Sequence, residues 1–185
     1  MSSVERLEDL VDNPRESLDV ELKPWLDLRD EFDRASLAHA LLALVNHGGG
    51  FAVLGFTANG GHWVRAPGKP PDDAKYSPDT VNEIVKKYAD PQFHCEVHRI
   101  TRGEGATHLV IAVPRRQKVP VRARASGPGN KHVKKDAYYI RRPGPESAPP
   151  QSPAEWDALI RRCVQAALAP TTASDEPDSD DHLRV

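Results

Sequence analysis

Three consecutive glycines separate an apolar helix pattern from an apolar strand pattern, and no other feature restricts the fold of this chain as tightly. The segment reads Leu41-Leu42-Ala43-Leu44-Val45-Asn46-His47-Gly48-Gly49-Gly50-Phe51-Ala52-Val53-Leu54-Gly55-Phe56. Phe32, Leu37, Leu41, Leu42, Leu44 and Val45 give residues 30–46 the broad apolar face of a helix. Asn46 and the glycines stop it, because they tolerate the left-handed backbone that a helix terminus uses. Phe51 to Phe56 has few polar residues, as a central strand does. A phosphate-binding P-loop is excluded: no Gly-Lys-Ser/Thr follows, and the glycines lead into a strand rather than opening a helix.

Periodicity places further elements on both sides of this segment. Val4, Leu7, Leu10 and Val11 share one helical face over residues 3–12, ended by Asn13-Pro14. Leu18, Val20 and Leu22 alternate with Asp19, Glu21 and Lys23, which predicts a strand closed by Pro24. Residues 57–61 read as a turn, followed by a long Pro/Gly-rich loop through Pro71. Ser77-Pro78 opens a helix running to about Ala89. Strands are expected near 94–101 and 107–113, joined by the hairpin signal Arg102-Gly103-Glu104-Gly105. Weaker strands are expected over 120–125 and 137–141. Ser152 and Glu155 match a capping box at the start of a final helix. The fold class is therefore α+β, a mixed sheet of about six strands flanked by helices. Residues 1–168 form the expected domain. Residues 169–185 are small, polar and acidic, and are expected to be a disordered acidic tail.

Charge is unevenly distributed. The formal net charge is -2. Residues 115–142 hold Arg115, Arg116, Lys118, Arg122, Arg124, Lys131, Lys134, Lys135, Arg141 and Arg142 against the single acid Asp136. A concentrated basic segment in an otherwise acidic chain points to an anion-binding surface. Gly127-Pro128-Gly129-Asn130 at its centre suggests a loop that carries cations out from strand-like flanks and wraps a phosphate backbone. Arg122 and Arg124 share a face at strand spacing. Tyr138 and Tyr139 beside Arg141 and Arg142 offer a ring to stack a base, with one of the two in the core. The same run read simply is a solvated surface loop, or a partner for the chain's own acidic tail.

Other chemistries find little support. Cys95 and Cys163 form no Cys-x-x-Cys pair, so neither a zinc site nor a redox motif is read, and they are expected to be reduced buried thiols. His94 and His98 on a strand would lie about 13 Å apart, too far for a shared metal. No Gly-x-Ser-x-Gly motif is present. No signal peptide and no membrane-length apolar run is seen, and a cytoplasmic location is expected.

Four segments, in order, resemble the AlbA_2 (Schlafen-type) domain family. They are Glu16…Glu21-Leu22-Lys23; Ala43-Leu44-Val45-Asn46-His47-Gly48-Gly49-Gly50; the strand Phe51 to Phe56; and Ala137-Tyr138-Tyr139-Ile140-Arg141-Arg142-Pro143-Gly144. The match spans about residues 15–145. The resemblance implies a single α/β lobe with a mixed sheet, and nucleic acid, DNA or RNA, as partner. Larger relatives pair two lobes, so a homodimer is the corresponding arrangement here. In RNA-cleaving relatives three carboxylates form the active site. Glu16 and Glu21 match two of them, and Lys23 would stabilise the phosphorane. The third position falls near Thr57-Ala58-Asn59, where this chain has no acid. Read locally, Glu21 and Lys23 are a charge pair on a strand face and Glu16 a surface residue.

The expectation is a module that binds nucleic acid through residues 115–142 without catalysis, metal or other cofactor. One alternative is an endoribonuclease using Glu16, Glu21 and Lys23 with a divalent ion such as magnesium. The other is a protein-interaction module built on the basic loop and acidic tail.

Overall fold

The computed structural model describes residues 3–68, 76–102 and 106–169. The acidic tail beyond 169 and the hairpin turn at 103–105 lie outside the described residues.

A four-stranded mixed sheet forms the centre. Its order is β1 (Val20–Lys23), β2 (Gly50–Leu54), β7 (Ala106–Val113) and β6 (Glu96–Arg102). β1 runs parallel to β2, while the β2–β7 and β7–β6 pairs are antiparallel. The parallel pair is connected through helix α2 (Glu31–His47), since parallel neighbours need a crossover. Asp30 caps α2 by accepting hydrogen bonds from the Phe32 and Asp33 N–H groups. At the other end Gly48 is left-handed, with φ 111°. The Gly48 and Gly49 N–H groups turn back onto the Val45 and Leu44 carbonyls.

Alternation along the strands divides the core. Ala52, Leu54, Leu109, Ile111 and Val113 face α2 and helix α3 (Pro78–Tyr88). Val20, Leu22, Val53 and Val110 face the opposite side, with Leu7 and Val11 of helix α1 (Ser3–Asp12). Apolar residues surround the second half of α2, and the helix is correspondingly buried on nearly all sides. The sheet covers one side, and α3 with residues 121–139 covers the rest. Helix α4 (Pro153–Leu168) packs near the end of α2 through Leu159 and Cys163, and its capping box of Ser152 and Glu155 forms as expected.

The α+β class holds, with strands arranged differently from expectation. Residues 57–65, read as turn and loop, form the hairpin β3 (Phe56–Asn59) and β4 (His62–Arg65). The expected strand 120–125 shrinks to β8 (Arg122–Ala123), paired with β5 (Ala89–Asp90). The expected strand 137–141 becomes β9 (Ile140–Arg142), paired with β10 (Glu146–Ala148). Asn130, His132 and Asp136 all take positive φ, which breaks the extended geometry a longer strand needs. The basic segment is instead held by separate hydrogen bonds. Gly127 N–H donates to Val133 O, and Arg124 N–H donates to Tyr88 O.

Candidate nucleic-acid interface

Strand β1 is a sheet edge, and its environment determines what Glu16, Glu21 and Lys23 can do. Phe51 N–H donates to the Asp19 carbonyl and Gly55 N–H to the Lys23 carbonyl. The backbone groups of Val20 and Leu22 therefore point away from β2, to the open edge. Side chains from outside the strand, Glu16 before it and Arg141 of β9, seal that edge. Glu16 Oε1 accepts the Leu22 N–H at 3.2 Å. Arg141 Nη2 donates to the Val20 carbonyl at 3.0 Å and to the Ser17 carbonyl at 2.7 Å.

Because Val20 and Leu22 face α1, Glu21 and Lys23 face the α2 side. There Glu21 is buried, with Lys23 Nζ 3.2 Å from one carboxylate oxygen. Arg141 donates to the other, and its side chain is 0% exposed. Ser147 on β10 accepts a further hydrogen bond from Arg141 at 3.0 Å. The structure thus brings Glu16, Glu21 and Lys23 together and adds Arg141, which the sequence reading had assigned to the phosphate-binding surface. Burial is the main influence on Glu16 and raises its pKa. The Leu22 N–H opposes that shift and the neighbouring Glu21 charge adds to it. Among the described residues, no group of three or more His, Cys, Asp and Glu side chains is placed to hold a metal.

The eleven residues proposed for nucleic-acid contact divide sharply. Two are corrected outright, because they are buried. Arg141 is sealed inside the β1 edge as described. Tyr139 accepts the Lys134 N–H through its hydroxyl and meets His39 edge-on at 4.5 Å between ring centres, so it is the core member of the tyrosine pair. Arg142 donates to Glu155 at 2.6 Å and to the Pro149 carbonyl, which ties β9 to the start of α4. Arg122 pairs with Asp90 at 2.8 Å and faces Asp136 at 3.7 Å.

The other seven are exposed. Arg115, Arg116, Lys118, Arg124, Lys131, Lys134 and Lys135 make no ion pair within 4 Å among the described residues, and only Arg115 acts measurably on an acid, Asp19. Contacts place three of them at the two ends of α2. Arg115 lies against Gly49, with Cγ 2.6 Å from where a Cβ would stand, and so sits at the C-terminal end of α2 together with Arg116. Lys131 Nζ lies 5.9 Å from the centre of the Phe32 ring, at the other end of α2. Sixteen positions of helix separate Phe32 from Gly48, or about 24 Å at ~1.5 Å per residue.

Two residues that the sequence reading did not single out hold this surface in place. Asn46 is buried at the end of α2 and acts as a three-point staple. Its Nδ2 donates to the Val121 and Tyr139 carbonyls at 2.7 and 3.0 Å, and its Oδ1 accepts the Val121 N–H at 2.8 Å. Asn in the Asn-x-Gly-Gly turn was read only as a helix stop. Its burial within an apolar run was the available signal. Arg162 of α4 donates to the Asn46 carbonyl at 2.7 Å, and burial lowers its pKa. It lies outside the basic segment, and no local pattern marked it.

No family model matches the chain, and no curated protein does. Among solved structures it is similar to the DIP2311 protein from Corynebacterium diphtheriae, with a TM-score of 0.58 at 14% identity. That match covers 86% of this chain and 28% of the other, so the chain spans little more than a quarter of that protein. It is also similar to the N-terminal domain of a putative ATP-dependent DNA helicase RecG-related protein from Nitrosomonas europaea, with a TM-score of 0.46 at 23% identity, over 77% of this chain and 94% of that one. At these identities the likeness is one of fold, and it rests on the first structure. Among the described residues, no helix is long and apolar enough to cross a membrane.

Proposed function

We propose that this chain is an AlbA_2-type module that binds nucleic acid through backbone phosphates, without cleaving it. One observation carries the reading. Seven exposed cations between residues 115 and 135 make no ion pair within 4 Å among the described residues, in a chain that is acidic elsewhere. Unpaired cations at this density repel one another, and a polyanion relieves that repulsion. The two ends of α2, one carrying Arg115 and Arg116 and the other Lys131, lie about 24 Å apart, roughly seven base-pair steps along duplex DNA at ~3.4 Å each. The contacts are with phosphate, since phosphate contacts position a nucleic acid and carry no sequence information. The aromatic stacking expected of Tyr139 has no part in it, because the ring is in the core.

The surroundings of Glu21 support the non-catalytic form of the proposal. A metal-binding carboxylate needs oxygens open to the ion. Glu21 is neutralised by Lys23 and Arg141 instead. Glu16 directs one oxygen to a backbone N–H.

The test is fluorescence polarisation with labelled single- and double-stranded DNA and RNA between 50 and 200 mM salt. Four phosphate contacts would give a slope of log K against log salt of about -3 to -4. Charge reversal at Lys131, Lys134 and Lys135 is expected to flatten the slope. Absence of binding at 50 mM salt, or binding indifferent to salt, overturns the reading. Incubation with structured RNA and magnesium tests the catalytic alternative. Cleavage that is lost in Glu16→Ala/Glu21→Ala would establish it.

A further inference from the structure

A cleft of about 380 Å³ opens between the end of α2, residues 115–117 and α4, and Arg115, Arg116 and Arg162 line it. Val45, Cys163 and Ala166 supply apolar wall, and Gln117 and Gln165 add amide groups. The volume falls in the range of small-molecule pockets and is too small for several nucleotides at once. Three arginines lining one such space are an unusual concentration of charge, since arginine is the side chain best matched to phosphate in bidentate geometry.

The end of a helix is ordinarily a poor place for an anion, because its carbonyls carry partial negative charge. Here those carbonyls are occupied. The Gly49 and Gly48 N–H groups take Leu44 O and Val45 O, and Arg162 takes Asn46 O. Arg162 is thereby oriented by the helix terminus, while Arg115 and Arg116 make no ion pair within 4 Å among the described residues, the nearest influence on an acid being that of Arg115 on Asp19. Arg116 also holds a left-handed backbone, φ 66°, which a non-glycine residue adopts at a cost.

We propose that this cleft is a binding site for a phosphate monoester, with the terminal phosphate of a nucleic-acid strand as its ligand. The charge favours a monoester over an internal diester. A monoester carries nearly two negative charges at neutral pH, and three arginines match it better than they match one. The inference rests on the nucleic-acid reading above and deepens it. Arg115 and Arg116 belong to both parts: the other five exposed cations hold the backbone, and these two with Arg162 take the end of the strand. Arg162 is the part of the site that lies outside the basic segment.

The experiment uses the full chain and internally labelled twelve-nucleotide oligomers. These carry a phosphate at the 5′ end, at the 3′ end, or at neither. Polarisation is measured for the wild type, Arg115→Gln/Arg116→Gln and Arg162→Gln, with thermal melts to confirm folding. One end-phosphorylated oligomer is expected to bind at least about tenfold tighter than the unphosphorylated one. Both variants should lose that preference; Arg162→Gln should keep the residual, salt-dependent binding in full, and the double variant, which also removes two of the seven exposed cations, should keep it in weakened form. The double variant changes only exposed side chains, so it remains informative if Arg162→Gln melts early. Equal binding of all three oligomers, or a preference that persists in the double variant, overturns the cleft and leaves the backbone reading intact. Failure of every oligomer to bind at 50 mM salt overturns both. Competition with adenosine monophosphate separates the two sources of the same chemistry. Displacement of the phosphorylated oligomer, absent in the double variant, supports the site and assigns it to free nucleotides as well as strand ends.

Discussion

Arg141→Ala tests the arrangement around β1 most directly. The change removes a guanidinium that is 0% exposed and bonded to Glu21, Ser147 and the carbonyls of Ser17 and Val20. Val20 O keeps a second donor, the Ser17 N–H at 3.1 Å. Ser17 O likewise keeps the Val20 N–H, at 3.4 Å. Glu21 retains only Lys23 as a charged partner. Breaking a buried ion pair from one side costs about 3–5 kcal/mol, because the remaining charge stays out of water. Arg141→Lys keeps the charge and gives up the planar fork, so its cost is set by lost hydrogen bonds to charged or buried groups, about 1.5–3 kcal/mol. Urea unfolding gives both numbers, provided the slope m is unchanged. The double variant Glu21→Leu/Arg141→Met removes both charges and should recover much of the loss. It should not recover all of it, because the Arg141 hydrogen bonds to Ser17 O and Val20 O stay lost. A loss below about 1 kcal/mol for Arg141→Ala would refute the reasoning, since no buried pair of this kind is so weak when broken. Full recovery in the double variant would show that sealing the strand edge adds nothing.

Two further outcomes follow from the geometry. Gly50→Ala would place a Cβ 2.2 Å from the Asp19 carbonyl oxygen, a backbone atom that cannot move without opening the β1–β2 pair. A loss of about 3 kcal/mol is expected, seen as a fall in melting temperature of roughly 6–12 °C, and an unchanged melt would show that the junction can relax. Burial pushes the His39 imidazole down to about 4, with Lys23, His132 and Arg141 adding to the effect. The unfolded chain, with His39 near 6.5, then binds the extra proton between those values. The stability owed to neutral His39 is full above about pH 6.5 and is lost as pH falls toward 4, by about 3 kcal/mol at most. His39→Gln should flatten the stability–pH curve in that window, as followed by urea midpoints, and a curve of unchanged slope would refute the assignment.

Much of the fold was legible because it depends on local patterns. The 3.6-residue repeat located α1 and α2, and Ser77-Pro78, Ser152 with Glu155, and Gly48 marked helix ends through chemistry confined to a few residues. Alternation in β1 correctly put Val20 and Leu22 on one face and Glu21 and Lys23 on the other. The charge pair read between Glu21 and Lys23 is present at 3.2 Å. The hairpin of β3 and β4 was missed because its strands are short and partly exposed, and Gly60-Gly61 read as the centre of a loop.

The sequence by itself determined where the helices and the central strands lie, how polar and apolar faces alternate, and that one stretch carries ten cations against a single acid. Those properties arise from backbone sterics and side-chain chemistry within a few residues. Tertiary structure alone decided which of those charges face water. Arg141 and Glu21 are 120 positions apart in the chain, and they meet because β9 packs beside α2 at the open edge of β1. Arg115, Arg116 and Arg162 come together because α4 folds back onto the end of α2. Whether a cation is buried against a carboxylate or left for a phosphate depends on its neighbours in space, and chain order does not encode that distance.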